Sequence, residues 1–307
     1  MMKTNILKKN EKQLDKEIRK RKLEDPDLLK SLSNILKKKR GHVFKMPAPN
    51  TPVIVFMSGG IDTITIIAIL MEEFGLQVYP VYFDLGFPQS KYDKKSVFFF
   101  TDYYLKKYPK LFHSPMEISL TFPAKQMAKH ILPNSGNIFI DKSINHRRGV
   151  PFSPAIFAYN AVHYAISLRE GKSIEVNTIF GGILPSNIDW YSYESLTTHR
   201  SINLDICVSL NDYSWQYTSL PIEKELGFNL QKQDLISWGH KYGLPLEKTR
   251  TCNVKREHQC GVCDICIVRK KAFKLAKVKD NTFYLFKKPL LERVRYRVKR
   301  HLPWLLK

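Results

Sequence analysis

The stretch VIVFMSGGIDTITIIAIL, residues 53–70, constrains this chain more than any other. Val53 to Met57 is short, apolar and β-branched, the composition of a strand buried on both faces. From Ile64 to Leu70 apolar residues recur at helical spacing and lead into Glu72 and Glu73. Ser58-Gly59-Gly60-Ile61-Asp62-Thr63 is therefore read as a strand-to-helix turn. Glycines let the backbone bend tightly and bring its N–H groups against a ligand. At a helix N-terminus such groups make a site for an anion, most often phosphate. The Ser58 and Thr63 hydroxyls add donors, and Asp62 is suited either to cap the helix or to face a phosphate-bound magnesium ion. A plain tight turn with a helix cap is the competing reading of so short a motif.

The rest of the chain supplies the context. Residues 1–45 read as two polar, charged helices broken near Asp25-Pro26-Asp27, and Met46 to Pro52 as a stiff proline-rich linker. A helix over about 63–74, closed by Gly75, precedes a second strand at about 76–83. A helix over about 91–107 and a short strand in LFHSPMEI follow, with a further helix suggested at 122–131 and a loop-rich region at 134–152. PAIFAYNAVHYAISLR forms a helix, SIEVNTIFGG a strand ending in two glycines, and a helix is expected at about 196–213. LQKQDLISWGHKYGLP is an amphipathic helix stopped by Gly243 and Pro245. Strands alternating with helices imply an α/β fold with a parallel sheet covered on both faces. Ligands then sit beyond the carboxyl ends of the strands. SGGIDT, Asp84-Leu85-Gly86 and Gly181-Gly182 are all expected on that edge.

A net charge of +22 is unevenly placed. Residues 1–45 carry +9 and residues 269–307 carry +12, which leaves +1 for the middle. A neutral central domain thus bears basic ends, suited to nucleic acid, a protein or an anionic surface, or simply solvated. The 43% hydrophobic content is that of a globular protein. The absence of an apolar run long enough to span a bilayer, together with clustered cysteines, is the pattern of a reducing cytoplasm.

Cys252, Cys260, Cys263 and Cys266 are spaced C-x7-C-x2-C-x2-C. Two residues between thiolates let both reach one ion, and four thiolates close a tetrahedral shell around zinc. An iron–sulfur cluster is the alternative occupant. Such a site has no open position, so its role is structural. Gly261 permits the turn between two ligands, and Lys255, Arg256, Arg269, Lys270 and Lys271 offset the thiolate charge. His258 is a superfluous ligand, and Cys207 is read as core.

The SGGxDS-like loop combined with CGVCDIC-x-x-R-x-x-AF resembles the 7-cyano-7-deazaguanine synthase family, nitrile-forming enzymes of queuosine biosynthesis among the PP-loop ATP pyrophosphatases. The likeness runs from about residue 53 to 275. It implies an adenine nucleotide alpha hydrolase-like fold, with residues 46–250 as the ATP-pyrophosphatase domain, 251–275 as a zinc-binding segment, and 1–45 and 276–307 as basic extensions. It also implies a reaction: ATP is cleaved between its α- and β-phosphates, a carboxylate becomes an adenylate, and ammonia or another amine displaces AMP. Ser58, Gly59, Gly60, Ile61, Asp62 and Thr63 would hold ATP with Mg²⁺, Asp62 and Lys232 would act in catalysis, and Gly181, Asp189 and Tyr193 would line the substrate pocket. The cofactors implied are ATP, Mg²⁺ and Zn²⁺. The partners are a small carboxylate and an amine, and a homodimer is compatible with the likeness.

The chain departs from the family in its substrate-facing motifs. Leu85-Gly86-Phe87 stands for a Tyr-Gly-Gln, Ser153-Pro154 for an Arg-Asn, and Glu194-Ser195-Leu196-Thr197 for a Pro-Asp-Cys-Arg. A tRNA-modifying PP-loop enzyme of thiolase or lysidine type, and an inactive binding protein on the same scaffold, are therefore carried as alternatives. The closing LLERVRYRVKRHLPWLLK would make a basic helix with an apolar side.

Overall fold

The structure is a computed structural model that describes residues 8–87, 89–120, 152–189 and 191–286. The helix suggested at 122–131, the loop at 134–150 and the C-terminal basic segment lie outside these.

Five parallel strands build one sheet: β1 (Pro52–Phe56), β2 (Gln77–Asp84), β3 (Met116–Ser119), β4 (Thr178–Gly181) and β5 (Gln216–Ser219). Their order is β3-β2-β1-β4-β5. Val53 pairs with Val78 and Phe56 with Val81 on one side of β1, and Ile54 pairs with Ile179 on the other. Alternation along β1 divides the core. Val53, Val55 and Met57 face one apolar layer, while Ile54 and Phe56 face the second. Both faces are covered, as an all-parallel sheet requires.

The first layer is made by α3 (Ile61–Glu72), α4 (Ser90–Lys107), which follows β2, and two later helices of the chain. In α3 every residue from Ile61 to Met71 except Asp62 is buried, so this helix is a core element rather than a surface one. The second layer is made by α5 (Ser153–Lys172) and α7 (Leu196–Ser209), with the short α6 (Pro185–Ile188) between β4 and α7. Residues 173–177, read from sequence as part of a strand, instead carry the chain out of a left-handed cap at Ser173 and into β4. Strand β5 was not apparent in the sequence: four half-polar residues, QYTS, carry no alternating signal and are buried by their neighbours.

After β1 the chain adds strands on one side (β2, β3) and then crosses to the other (β4, β5). The reversal falls between β1 and β4, the position where open parallel sheets bind ligands.

The N-terminal helices, α1 (Glu11–Arg19) and α2 (Pro26–Arg40), are capped by Asn10 and Asp25. Ile18 and Leu29 pack with Ile188, Leu196 and Ile222. Between the two helices Glu24, its side chain fully buried, seats its carboxylate on the N-terminus of α7. It accepts from Leu196 N at 3.0 Å, from Thr197 N at 2.7 Å and from the Thr197 hydroxyl. A carboxylate there meets free N–H groups and the positive end of the helix dipole. Replacing Glu24 with alanine leaves those donors buried and unmet, and should lower stability by about 2–3 kcal/mol in urea unfolding.

Candidate functional site

The turn after β1 is held from within and from without. Ser58 N donates to Thr63 Oγ1 at 3.0 Å, and the two hydroxyls lie 3.1 Å apart. Gly59 adopts φ +76°, and a side chain there would meet Ser96 Cβ at 3.0 Å and the Asp93 carbonyl at 3.1 Å. Both the left-handed backbone and the crowding require glycine. The Gly59 carbonyl accepts from the Ser96 hydroxyl at 2.8 Å and from Arg250 N at 2.8 Å. Gly60 is the N-cap of α3 and supplies no side-chain cap. The first turn thus has no side-chain cap, and the capping role weighed for Asp62 is not the one adopted.

Asp62 instead faces Lys232, the first residue of α8 (Lys232–Lys241), with Lys232 Nζ 2.9 Å from Asp62 Oδ2. The other carboxylate oxygen, Asp62 Oδ1, is buried and has no hydrogen-bond partner among the described residues. A free, buried anionic oxygen beside open backbone N–H groups fits a divalent cation shared with a phosphate. Across the sheet reversal, Gly182 abuts this turn so closely that a Cβ on it would fall 2.4 Å from Thr63 Cγ2. The loops after β1 and β4 thus share one crevice.

The three residues assigned to a substrate pocket fall near the end of β4, in different settings. Gly181 ends that strand, its carbonyl accepting from the Ser219 hydroxyl at 3.1 Å. Asp189 is exposed, with Oδ1 3.4 Å from Lys22 N of the N-terminal extension. Tyr193 stacks on Tyr191 at 5.1 Å, and its buried hydroxyl has no partner among the described residues. Burial raises the Tyr193 pKa.

The four cysteine sulfurs lie within 4.8 Å of one another, all buried. Thiolates on a single tetrahedral ion with bonds of about 2.3 Å stand about 3.8 Å apart. The Cys252–Cys263 and Cys260–Cys266 separations are 4.0 and 3.9 Å. The donors thus fit one ion more closely than a multi-iron cluster, which spreads its ligands wider. N–H groups of Val262 and Cys263 point at Cys260 Sγ, and that of Cys260 at Cys252 Sγ, stabilising negative sulfur. Gly261 has φ +77° and no room for a side chain, since a Cβ would lie 2.5 Å from the Phe286 carbonyl. His258 lies outside the sulfur cluster and meets Phe283 edge-on.

Two arginines tie this segment to the turn. Arg250 donates to Asp93 at 2.9 Å and to the carbonyls of Cys252, Val254 and Glu257. Its backbone holds Gly59, so the turn at 58–63 and the sulfur cluster share one residue. Arg269 acts at a different place in the segment. It is fully buried and donates to the Thr249 hydroxyl, the Leu246 carbonyl and the Thr282 hydroxyl. It thereby anchors α9 (Asp264–Ala276) to the preceding loop. Neither role was read from sequence, because each partner is a backbone atom or a distant side chain.

A parallel sheet with an uncapped, glycine-led helix at its reversal point, facing a lysine–aspartate pair, is the architecture of a phosphate-handling α/β enzyme. Residues 52–277 match the family model for queuosine biosynthesis protein QueC, and the chain belongs to that family. Similar proteins include 7-cyano-7-deazaguanine synthases of Acetivibrio thermocellus, Thermoplasma acidophilum and Sulfurimonas denitrificans. The first is 25% identical over 246 residues, covering 76% of this chain and 97% of the relative. The second is 27% identical over 237 residues (75% and 91%) and the third 26% identical over 243 residues (78% and 100%). Among solved structures, the U34-tRNA thiolase NcsA from Methanococcus maripaludis with its 4Fe-4S cluster covers 91% of this chain and 82% of that one. Its identity is 12% and its TM-score 0.37, a likeness that carries no argument here. Among the described residues no helix is long and apolar enough to cross a membrane.

Proposed function

We propose that this protein is an ATP-dependent carbon–nitrogen ligase that activates the carboxylate of 7-carboxy-7-deazaguanine, or a close relative of it, and couples it to ammonia. The observation that carries the reading is the turn at 58–63 facing the Lys232–Asp62 pair, in a chain that belongs to the QueC family. The substrate carboxylate oxygen attacks the α-phosphorus of ATP, the bond from that phosphorus to the bridging oxygen breaks, and pyrophosphate leaves. Ammonia then attacks the acyl carbon of the adenylate, AMP departs with the bonding pair, and an amide results. A second ATP adenylates the amide oxygen with release of pyrophosphate, and AMP then leaves with that oxygen as the carbon–nitrogen triple bond forms and two protons are lost, giving the nitrile.

The residues of this chain have defined tasks in that sequence. Backbone N–H groups from Gly59 to Thr63, with the Ser58 and Thr63 hydroxyls, cradle the pyrophosphate. Lys232 stabilises the charge that grows on it as the bond breaks. Asp62 orients Lys232 through one oxygen and would hold Mg²⁺ through the other. When bound, that ion supplies charge neutralisation on the phosphates. Gly181, Asp189 and Tyr193 border the space for the acid. Residues 46–250 form the ATP-handling domain. Cys252, Cys260, Cys263 and Cys266 in 251–275 would hold Zn²⁺ as a structural ion, in keeping with a reducing cytoplasm.

Incubation with MgATP, ammonium and 7-carboxy-7-deazaguanine, followed by mass spectrometry, tests the reading. AMP and pyrophosphate in equal amounts are expected, one of each per amide and two of each per nitrile. ADP with phosphate, or intact ATP, would overturn it.

A further inference from the structure

The turn at 58–63 is gripped from outside by a residue to which neither the family motifs nor the steps above assign a part. Ser96, on the second turn of α4, is buried. Its hydroxyl lies 2.8 Å from the Gly59 carbonyl and 2.9 Å from the Lys248 carbonyl, on the loop that leads to Cys252. A carbonyl only accepts and a hydroxyl has one proton, so Ser96 donates to one of the two at a time. The Gly59 carbonyl has a second donor, Arg250 N at 2.8 Å. Asp93, one helical turn before Ser96, holds the Arg250 side chain at 2.9 Å. One face of α4 thus supports both donors to a single carbonyl.

The orientation of that carbonyl decides where the next N–H points. Across a planar trans peptide the C=O and the following N–H point in opposite directions. With the Gly59 carbonyl turned to α4 and Arg250, the Gly60 N–H is turned to the Ser58 hydroxyl, 3.4 Å away. That contact is long, and leaves the N–H to a better acceptor. Ser58 is exposed and its hydroxyl lies 3.1 Å from that of Thr63, so the N–H faces the side of the turn assigned to pyrophosphate. The peptide sits between two glycines, Gly59 at φ +76° and Gly60 at φ −80°. Glycine takes either sign of φ at little cost, so this plane turns over more readily than any other in the turn. Turned over, it would set a carbonyl oxygen against a phosphate oxygen, and repulsion would replace a hydrogen bond.

We infer that Ser96 is a positioning residue for ATP cleavage: through the Gly59 carbonyl it keeps the Gly60 N–H aimed at the departing pyrophosphate. Donors aimed before the reaction begins need no reorganisation as charge develops. Arg250 N keeps a share of the hold when the Ser96 proton serves Lys248. Loss of the hydroxyl should therefore weaken the alignment rather than abolish it. The inference rests on the proposed cleavage of ATP at this turn.

Calorimetric titration of the full chain with magnesium pyrophosphate and, separately, with AMP tests it. AMP carries none of the phosphates assigned to the turn, and so reports on the rest of the ATP site. Ser96→Ala should weaken pyrophosphate binding about tenfold relative to AMP, the weight of one hydrogen bond to a charged group. Ser96→Cys keeps the size with a weak donor, and should weaken it about threefold. The ratio of two affinities within one protein is indifferent to the fraction folded, so a merely structural role for Ser96 leaves it unchanged. An unchanged ratio in Ser96→Ala or, should that variant not fold, in Ser96→Cys overturns the assignment while leaving the ligase reading in place. Wild type that binds neither ligand overturns both.

Discussion

Replacing Lys232 with methionine should lower the rate of acid-dependent AMP formation by roughly two to three orders of magnitude. The effect should fall mainly on kcat rather than on the KM for ATP. The ammonium is held at the first turn of α8, 13% exposed and 2.9 Å from Asp62. It is fixed before the reaction begins, and the charge it meets grows on the pyrophosphate as the bond from phosphorus breaks. An interaction that strengthens toward the transition state is lost from kcat. Arginine at this position keeps the charge but not the compact ammonium, and should recover only part of the rate. A purely structural ion pair behaves differently: the methionine variant would lose stability and keep its turnover. Steady-state kinetics beside a thermal melt separates the two, and unchanged kcat would remove Lys232 from the chemistry.

The second large effect is expected at the sulfur cluster. Cys260→Ser should abolish stoichiometric metal, measured by elemental analysis, and destabilise the protein by roughly 4 kcal/mol or more. For a chain of this size that is on the order of a 10 °C fall in melting temperature. Cys260 is the centre of the knot: it receives two backbone N–H groups and sends its own to Cys252. Without the ion, four buried sulfurs have no common partner, and the peptide around them loses its reason to turn at Gly261. The damage should travel. Arg250 binds the carbonyls of Cys252 and Val254 with its side chain and holds Gly59 with its backbone. Loosening the knot therefore loosens the phosphate turn, so ATP turnover should fall with the metal content. Full metal occupancy in Cys260→Ser, or activity that survives metal loss, would contradict this coupling.

How far the sequence reads directly is clear from particular residues. The strand, turn and helix at 53–72 were legible because strand, glycine and helix signals are local and adjacent. The sulfur cluster was legible because C-x2-C spacing is itself a geometric statement. Lys232 was reached only through family resemblance: nothing local in LQKQDL tells one surface lysine from another, and the fold alone brings it to Asp62. Arg250 was invisible because its role is written in carbonyls of other segments. His199 carries no signal in its sequence neighbourhood, and only tertiary burial leaves its Nε2 without a partner among the described residues. Strand β5 lacked a pattern because pairing with β4, not its own composition, makes it a strand. The N-terminal helices read as polar appendages from their charge. Leu14, Ile18, Leu29 and Leu36 nevertheless form an inward stripe, and Glu24 docks on α7.

The central claim is that this chain makes an acyl adenylate. Exchange of labelled pyrophosphate into ATP reads that step alone, before any amine is needed. With Mg²⁺ and 7-carboxy-7-deazaguanine present and ammonium left out, label should enter ATP, and it should not when the acid is omitted. No exchange under any of these conditions, with ATP otherwise converted to ADP and phosphate, would contradict the account at its root.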